Sequence, residues 1–350
     1  MRASFSSLAS VLRTVGGGLV ALLLASAPAV AQSPGGTGVT VGAGDALRIG
    51  GLVQADAAFG REAPFNDGFR ARSVRLRLGG QAQGLSYVIQ TDFTSSAPLL
   101  DAFVQVPLAD RLRLRGGLFK APYSAELLAS RPSLRFAERA RVVNALSPAR
   151  QAGVQLAGDL TADESDAEVT AALGAFNGTR GLSTNDNDHL LYVGRLTGTV
   201  PLGSGTLDVG ASGGYSVDAQ VAIPNTATSF NGTRLLGQVD AQYETGRWLF
   251  AGELHAADLD RDGPTFPEVE SQSPFGFSTT AGVDVAEGHQ VLARLEGYDP
   301  DQPGTPSPDD RIVLGYNYDA SSVFRVVVNY EASTEDLADG FLTGRLQVAF

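Results

Sequence analysis

The segment Leu342-Thr-Gly-Arg-Leu-Gln-Val-Ala-Phe350 decides the fold class, because apolar and polar side chains alternate along it. Successive side chains of a β-strand point to opposite faces, so a strand formed by this segment has one apolar and one polar face. The apolar face carries Leu342, Gly344, Leu346, Val348 and Phe350, and the polar face carries Thr343, Arg345, Gln347 and Ala349. The segment is therefore predicted to be a strand that separates an apolar from a polar environment.

The same two-residue period recurs along most of the chain, in segments of roughly 10 to 14 residues, which is the length that a tilted strand needs to cross a bilayer. A soluble β-sandwich alternates in the same way, but the strand length and the aromatic residues near strand ends favour a membrane barrel. The predicted strands are 46–59, 69–83, 84–96, 98–107, 111–120, 151–160, 166–177, 188–201, 205–218, 232–245, 246–260, 275–287, 288–300, 309–319, 321–332 and 340–350. The predicted fold is all-β, a single transmembrane antiparallel β-barrel of about sixteen strands.

The N-terminal residues have the features of a secretory signal peptide. Arg2 and Arg13 supply positive charge, an apolar run follows, and Ala29-Val-Ala31 offers the small residues of a cleavage site. We expect a signal peptide over 1–31, with a single membrane anchor as the alternative, then a short periplasmic segment over 32–45 and the barrel over 46–350. The expected location is the cell outer membrane, with its lipid as a partner and the short turns in the periplasm.

A barrel of about sixteen strands is wide enough to leave an aqueous channel. The longest predicted connection, 121–150, is the third long loop, and a loop of this length with its own apolar anchors is usually functional. Short helical turns are predicted at 124–128 and 134–146, with Leu127, Leu128, Phe136, Val142 and Leu146 as anchors. We expect this loop to fold into the lumen and narrow the channel.

The charge of the chain is unevenly distributed. The formal net charge is -12, which makes nucleic acid an unexpected partner, and the absence of Cys excludes disulfides and thiol chemistry. The first barrel strands and the long loop are nevertheless basic, and the apolar period of each strand turns its arginines away from lipid, where one guanidinium costs roughly 2 to 4 kcal/mol. The candidate anion pathway comprises Arg75, Arg77, Arg113, Arg115, Lys120, Arg131, Arg135, Arg139, Arg141 and Arg150.

Two interpretations of these basic residues remain open at this point. Rings of Arg and Lys along a pore favour anions, and guanidinium groups match phosphate and carboxylate oxygens. Alternatively, the charges line a polar wall and form ion pairs with Asp92, Asp101, Glu126 or Glu138. The reversal potential in a salt gradient separates the two interpretations, because a cation-selective channel would exclude the first.

Several motifs in the first half of the chain resemble the phosphate-selective porins O and P. They are Phe69-Arg-Ala-Arg-Ser-Val-Arg-Leu-Arg-Leu-Gly-Gly80, Tyr87-Val-Ile-Gln-Thr-Asp-Phe93, Leu100-Asp-Ala-Phe103, Gly117-Leu-Phe-Lys-Ala-Pro-Tyr-Ser-Ala-Glu126 and Arg150-Gln-Ala-Gly-Val154. The resemblance covers roughly residues 46–160. It implies a sixteen-stranded porin that is usually a homotrimer, with a lumenal third loop and a ladder of arginines leading to a phosphate site. By position, Arg75, Arg77, Arg113 and Arg115 match the ladder, and Lys120 matches the Lys of the Phe-Lys-x-Pro segment, although this chain lacks the family's other lysines.

A second candidate site is the acidic run Asp258-Leu-Asp-Arg-Asp-Gly263, which matches the opening of a calcium-binding loop. Asp258, Asp260 and Asp262 are the candidate ligands; Val269 stands where such a loop needs Glu, and a solvated acidic loop is the alternative. No other cofactor is expected, and the three His residues lack a catalytic arrangement, so the chain is not expected to be an enzyme. The sequence predicts a porin for passive diffusion of small solutes that prefers anions; the alternative is a structural or adhesive barrel with acidic, calcium-binding loops.

Overall fold

A computed structural model describes residues 39–41, 47–61, 63–179, 184–185, 187–222, 229–261, 271–301 and 310–350. The expected signal peptide, most of the 32–45 segment and Asp262 of the candidate calcium loop lie outside these residues. Within the described ranges, no helix has the length and apolar character to span a membrane.

The described chain forms one antiparallel sheet in which neighbours along the sequence pair with each other. Its strands are β1 (Val39–Val41), β2 (Leu47–Gly60), β3 (Gly68–Ala82), β4 (Leu85–Asp92), β5 (Leu99–Ala109), β6 (Leu112–Lys120), β7 (Arg150–Asp159), β8 (Glu168–Phe176), β9 (Leu191–Leu202), β10 (Gly205–Ala222), β11 (Ser229–Thr245), β12 (Trp248–Arg261), β13 (Phe275–Ala286), β14 (His289–Asp299), β15 (Arg311–Asp319), β16 (Phe324–Ser333) and β17 (Phe341–Ala349).

The sheet closes because the last strand, β17, pairs with β2 from Phe341 opposite Gly60 to Ala349 opposite Leu52. Strands β2–β17 thus form a closed barrel of sixteen strands, which confirms the predicted fold class. Closure pairs every backbone edge, as a sheet in lipid requires. Strand β1 was not predicted; it pairs with the beginning of β2, where Val41 lies opposite Leu47.

The two faces of the barrel follow the predicted period. On β17, the outward Leu342, Leu346 and Val348 are 45%, 54% and 39% exposed, whereas Arg345 and Gln347 on the other face are buried. The buried polar set continues around the barrel on β11, β12, β14, β15 and β16 and includes Gln238, Glu253, His255, Arg294, Glu296, Asn317 and Asn329. We call the side that carries these polar residues the inner face.

A phase change interrupts the period in β3. Gln54 lies opposite Ser73 whereas its neighbour Ala55 lies opposite Ala71, so Arg72 is the extra residue of a β-bulge. The bulge allows Arg70 and Arg72, at even positions, to share the inner face with Arg75 and Arg77, at odd positions.

The segment that joins β6 and β7, residues 121–149, is the most structured connection. It contains helix α1 (Ala125–Leu128), a 3-10 turn (Arg131–Ser133) and helix α2 (Arg141–Leu146). The prediction of helical turns is thus confirmed at 125–128 and in part at 134–146, where residues 134–140 form bends and irregular backbone instead of helix. Of the five predicted anchors, Leu127, Phe136, Val142 and Leu146 are buried, whereas Leu128 is half-buried.

Candidate functional site: the basic wall and the 121–149 segment

Strands β3–β6 carry most of the wall arginines that the sequence singled out, and some of these arginines are paired. Arg75 Nε lies 2.9 Å from Asp92 Oδ2, because the two residues are opposite each other in the β3–β4 register. Arg150 forms a bidentate pair with Asp101, with both N–O distances at 3.0 Å. For these arginines, the interpretation of a paired wall is correct.

Three other arginines of this wall, Arg77, Arg113 and Arg115, form no ion pair with any carboxylate in the described ranges. Arg77 Nη1 donates to Gln90 Oε1 at 3.3 Å, and Arg113 is exposed. Arg115 donates to Gln105 Oε1 from Nε at 3.2 Å and from Nη2 at 2.8 Å. The charges of these three side chains are therefore not neutralised by a neighbouring carboxylate.

Aromatic rings fix the position of the Arg115 guanidinium. Its central carbon lies 4.5 Å from the centre of the Phe103 ring and 5.3 Å from that of Phe119. The face of an aromatic ring attracts a cation without cancelling its charge. Arg115 thus presents a full positive charge from a defined position.

The first half of the 121–149 segment is anchored to strands β9, β10 and β12. Arg195 and Ser212 both donate to the carbonyl oxygen of Tyr123, and the backbone N–H of Glu126 donates to Glu253 Oε1 at 2.7 Å. Ser124 caps α1, since its Oγ accepts from the Leu127 N–H at 3.0 Å.

The second half of the segment is anchored to β14–β17. Asn317 Nδ2 donates to the carbonyl of Arg135 at 2.8 Å, and Gln347 Nε2 donates to that of Pro132 at 3.0 Å. The N–H of Ala137 donates to Asn329 Oδ1 at 2.6 Å, and its carbonyl accepts from Arg345. Together, the two halves contact inner-face side chains from strands on several sides of the barrel.

Glu126 of α1 lies among charged groups. Its carboxylate accepts from the Ala140 N–H at 3.2 and 3.3 Å and lies 3.6 Å from Arg294 Nη1. Burial raises the pKa of Glu126 to about 7, with Arg294 opposing the rise and the neighbouring Glu253 adding to it. This carboxyl therefore changes its charge close to neutral pH.

Glu138 is the centre of the densest charge cluster. Arg72 donates to it from Nε at 2.6 Å and from Nη2 at 2.9 Å, which is the bidentate geometry of a strong charge-assisted pair. Arg345, Arg131 and Arg70 approach the same carboxylate at 3.2, 3.4 and 3.7 Å. Burial alone would raise the pKa of Glu138, but the hydrogen bond from Arg72 and the charges of Arg131, Arg72 and Arg345 outweigh it and lower the pKa to about 2.

The sequence pattern did not indicate Arg70, Arg72 or Arg345 as site residues. Arg345 also forms a bidentate pair with Asp56, 289 residues away in sequence, and no local pattern indicates such a contact. Arg70 and Arg72 did leave a signal, because the arginine spacing in β3 changes phase at the bulge.

The family model for the phosphate-selective porins O and P matches residues 47–263, well over half of the chain. The chain belongs to this family. None of the curated protein sequences matches it. The family and the closed barrel together make the protein an outer-membrane porin, and they indicate a channel rather than an enzyme.

Solved porin structures share the fold of this porin. A loop L8 deletion mutant of OmpT, an outer membrane protein of Vibrio cholerae, has a TM-score of 0.63 and 17% identity, over 87% of this chain and 99% of that chain. The anion-selective porin from Comamonas acidovorans has a TM-score of 0.61 and 16% identity, over 87% of this chain and all of that one (100%). In-vitro folded OmpT of Vibrio cholerae in its trimer form has a TM-score of 0.58 and 15% identity, over 88% of this chain and 100% of that chain. At these identities the similarity shows the fold alone.

Lys120 of the Gly-Leu-Phe-Lys segment ends β6 and is buried in the porin. Its Nζ donates to the carbonyl oxygens of Leu128 at 3.2 Å and Ala129 at 2.7 Å. A cavity of about 150 Å³ lies beside it, and Arg139 and Arg150 contribute to the lining. Lys120 therefore connects the end of β6 to the end of α1.

The remaining candidate residues take different positions. Arg135 pairs with Glu244 at 2.9 Å, Arg139 donates to the carbonyls of Glu126 and Ala129, and Arg141 begins α2. Asp258 and Asp260 lie on β12. The described residues contain no group of three or more side chains that could hold a metal ion.

Proposed function

We propose that this porin passes small anions, phosphate among them, in preference to cations. The observation that supports the proposal is an asymmetry of exposure between the two signs of charge on strands β2–β6. The inner-face carboxylates Asp56, Asp92 and Asp101 have side chains that are at most 6% exposed. By contrast, Arg70 is 31% and Arg72 is 26% exposed, and Arg113 is exposed as well.

The mechanism is electrostatic. The charge of a carboxylate that is paired with an arginine is compensated by that arginine, so the pair adds little net field, and a permeating ion at this wall meets mainly the exposed guanidinium groups. Arg77, Arg113 and Arg115, which lack carboxylate partners in the described chain, add full positive charges to the same wall. A channel wall of one sign surrounded by low-dielectric material concentrates ions of the opposite sign.

We infer further that the 121–149 segment lies in the lumen and restricts the size of the solutes that pass. The support is that its backbone accepts or donates hydrogen bonds to inner-face side chains of β9, β12, β15, β16 and β17, as Arg195, Glu253, Asn317, Asn329 and Gln347 illustrate. A segment that remained above the rim would not reach these side chains together. The route for ions then runs between the segment and the basic wall of β3–β6.

We also propose that the porin assembles as a homotrimer in outer-membrane lipid. Its outward face is apolar, and the structures that share its fold include a trimer form of OmpT. Electrophoresis of the unheated protein in mild detergent tests this assembly; migration as a monomer would contradict it.

Planar-bilayer recording with bulky ions tests the preferred ion. The proposal predicts discrete, ohmic steps in KCl that shrink when chloride is replaced by a bulky sulfonate and change little when potassium is replaced by Tris. The opposite pattern would refute the anion preference. A silent barrel would instead favour the structural or adhesive alternative.

A further inference from the structure

Four arginines converge on the Glu138 carboxylate from different parts of the chain. Arg70 and Arg72 come from β3, Arg131 from the 3-10 turn and Arg345 from β17. In the described ranges these four arginines pair with one other carboxylate, that of Asp56, which contacts Arg70 and Arg345. The cluster therefore holds more positive than negative charge even with Glu138 in place.

The cluster also keeps unused hydrogen-bond donors. Arg131 Nη1 and Arg70 Nε are buried and have no hydrogen-bond partner within the described part of the chain. Buried N–H groups are normally satisfied. The cluster therefore has N–H donors available for further hydrogen bonds to a bound anion.

Solvent reaches the cluster from one side. The side chain of Glu138 is 37% exposed, and those of Arg70 and Arg72 are 31% and 26% exposed, whereas Arg345 is 2% exposed. The buried arginines form the base of a cradle, and the half-exposed arginines form its rim. A small anion in solution can therefore approach the position that the Glu138 carboxylate occupies.

We propose that Arg70, Arg72, Arg131 and Arg345 form a binding site for small carboxylates, and that Glu138 is its tethered occupant, which a permeating carboxylate must displace. The proposal rests on the proposed channel function. The bidentate contact of Arg72 with Glu138 is the contact that a free carboxylate would make. Because the tethered group competes with solutes, the cradle attracts anions without retaining them.

The backbone around Glu138 does not depend on its side chain. Ala137 is bound through both its N–H and its carbonyl, to Asn329 and Arg345, and the carbonyl of Glu138 accepts from Arg294 at 3.1 Å. Truncating the side chain should therefore empty the cradle while the segment stays in place.

Chemical rescue tests the proposal. Single-channel chloride current is recorded from the wild type and from Glu138→Ala while acetate is added, and the acetate concentration that halves the current is measured. We expect this concentration to be at least tenfold lower in Glu138→Ala than in the wild type. Acetamide, which has nearly the same shape but no charge, should not reduce the current of either protein.

The matched control is Glu244→Ala. Glu244 also pairs with an arginine of the segment, Arg135, but in the described contacts it pairs with this one arginine, whereas Glu138 contacts four. This variant should keep the weak acetate response of the wild type. An equal acetate response in all three proteins, or an equal effect of acetamide and acetate on Glu138→Ala, would overturn the proposal.

A second variant guards against a folding defect. Glu138→Gln keeps the shape of the side chain and should conduct. Its current should be more sensitive to acetate than that of the wild type. If the acetate sensitivity of both Glu138→Gln and Glu138→Ala equals that of the wild type, the proposal is overturned. A wild-type protein that does not conduct would refute the channel function itself, whereas a conducting wild type with acetate-insensitive variants refutes only the cradle.

Discussion

Arg115 offers a direct prediction about ion preference, because its charge is both unpaired and fixed in place. The substitution Arg115→Gln removes the charge and keeps a side chain that can still hydrogen-bond to Gln105. The guanidinium is held by Gln105 and by the Phe103 ring, 4.5 Å from its central carbon, so the lost charge belongs to one position on the wall.

The size of the effect follows from Coulomb attraction. A chloride ion at about 4 Å from one guanidinium gains about 1 kcal/mol in a water-like medium, which corresponds to roughly a fivefold local enrichment. At about 7 Å, with screening by 0.1 M salt, the enrichment falls to roughly twofold or less. A cation is repelled by the same energy, so the anion-to-cation ratio changes by the square of the anion enrichment, and we expect Arg115→Gln to lower the permeability ratio by at least about twofold.

The assay is the reversal potential in a salt gradient, for the wild type, Arg115→Gln and the control Arg111→Gln. Arg111 lies in the turn between β5 and β6, its side chain is 52% exposed, and it pairs with Asp163. The control changes the net charge by the same amount, but at the rim, and should shift the potential much less. Equal shifts in both variants, or no shift in Arg115→Gln, would refute the assignment of Arg115 to the ion route.

Three further predictions concern the segment and the barrel wall. Glu126→Gln should abolish a pH dependence of the open-channel current noise. The pKa of Glu126 is raised from an ordinary 4.5 to about 7, so docking of the 121–149 segment weakens as pH rises through this interval. The noise should therefore grow from pH 5 to pH 8 in the wild type only, and equal noise in both proteins would contradict this. Leu346→Arg places a charge on the lipid face, where Leu346 is 54% exposed, and should lower the free energy of unfolding in lipid vesicles by roughly 2 to 4 kcal/mol; a loss below about 1 kcal/mol would contradict the outward orientation. Gly117→Ala should destabilise the barrel by about 2 kcal/mol or more, because Gly117 has a φ of +130° and a Cβ there would lie 2.2 Å from the carbonyl oxygen of Ala102, whereas Gly116→Ala, with its nearest contact at 3.9 Å, should be close to neutral.

Much of the barrel could be predicted from the sequence, because each strand carries its own evidence. The two-residue period assigns every side chain to a face without reference to any other strand. The orientation of Leu346 and Arg345 to opposite faces and the closure of sixteen strands were predictable in this way. Strand β1 was missed because three residues are too few to show a period.

The pairing of individual arginines was only partly predictable. Gln83-Gly84 forms a two-residue turn, and this turn length sets the register in which Arg75 lies opposite Asp92 and Arg77 lies opposite Gln90. Register alone therefore separates a paired arginine from an unpaired one. Across β5 and β6, an irregularity between Pro107 and Ala109 shifts the register, and the partner of Arg115 could not be derived from the sequence.

The contacts of the 121–149 segment could not be derived from local patterns at all. Its apolar anchors were visible, but the strands that it meets depend on how the whole chain closes into a barrel. Arg345 contacts both Asp56 and Glu138, which are 289 and 207 residues away in sequence. That the segment lies in the lumen stays a prediction, which these contacts support.

The reversal potential of the wild-type porin in a tenfold KCl gradient tests the central claim most directly. The proposed function predicts a potential whose sign corresponds to chloride as the more permeant ion, because arginines dominate the exposed charge on strands β2–β6. A potential of the opposite sign, with potassium as the more permeant ion, would contradict it.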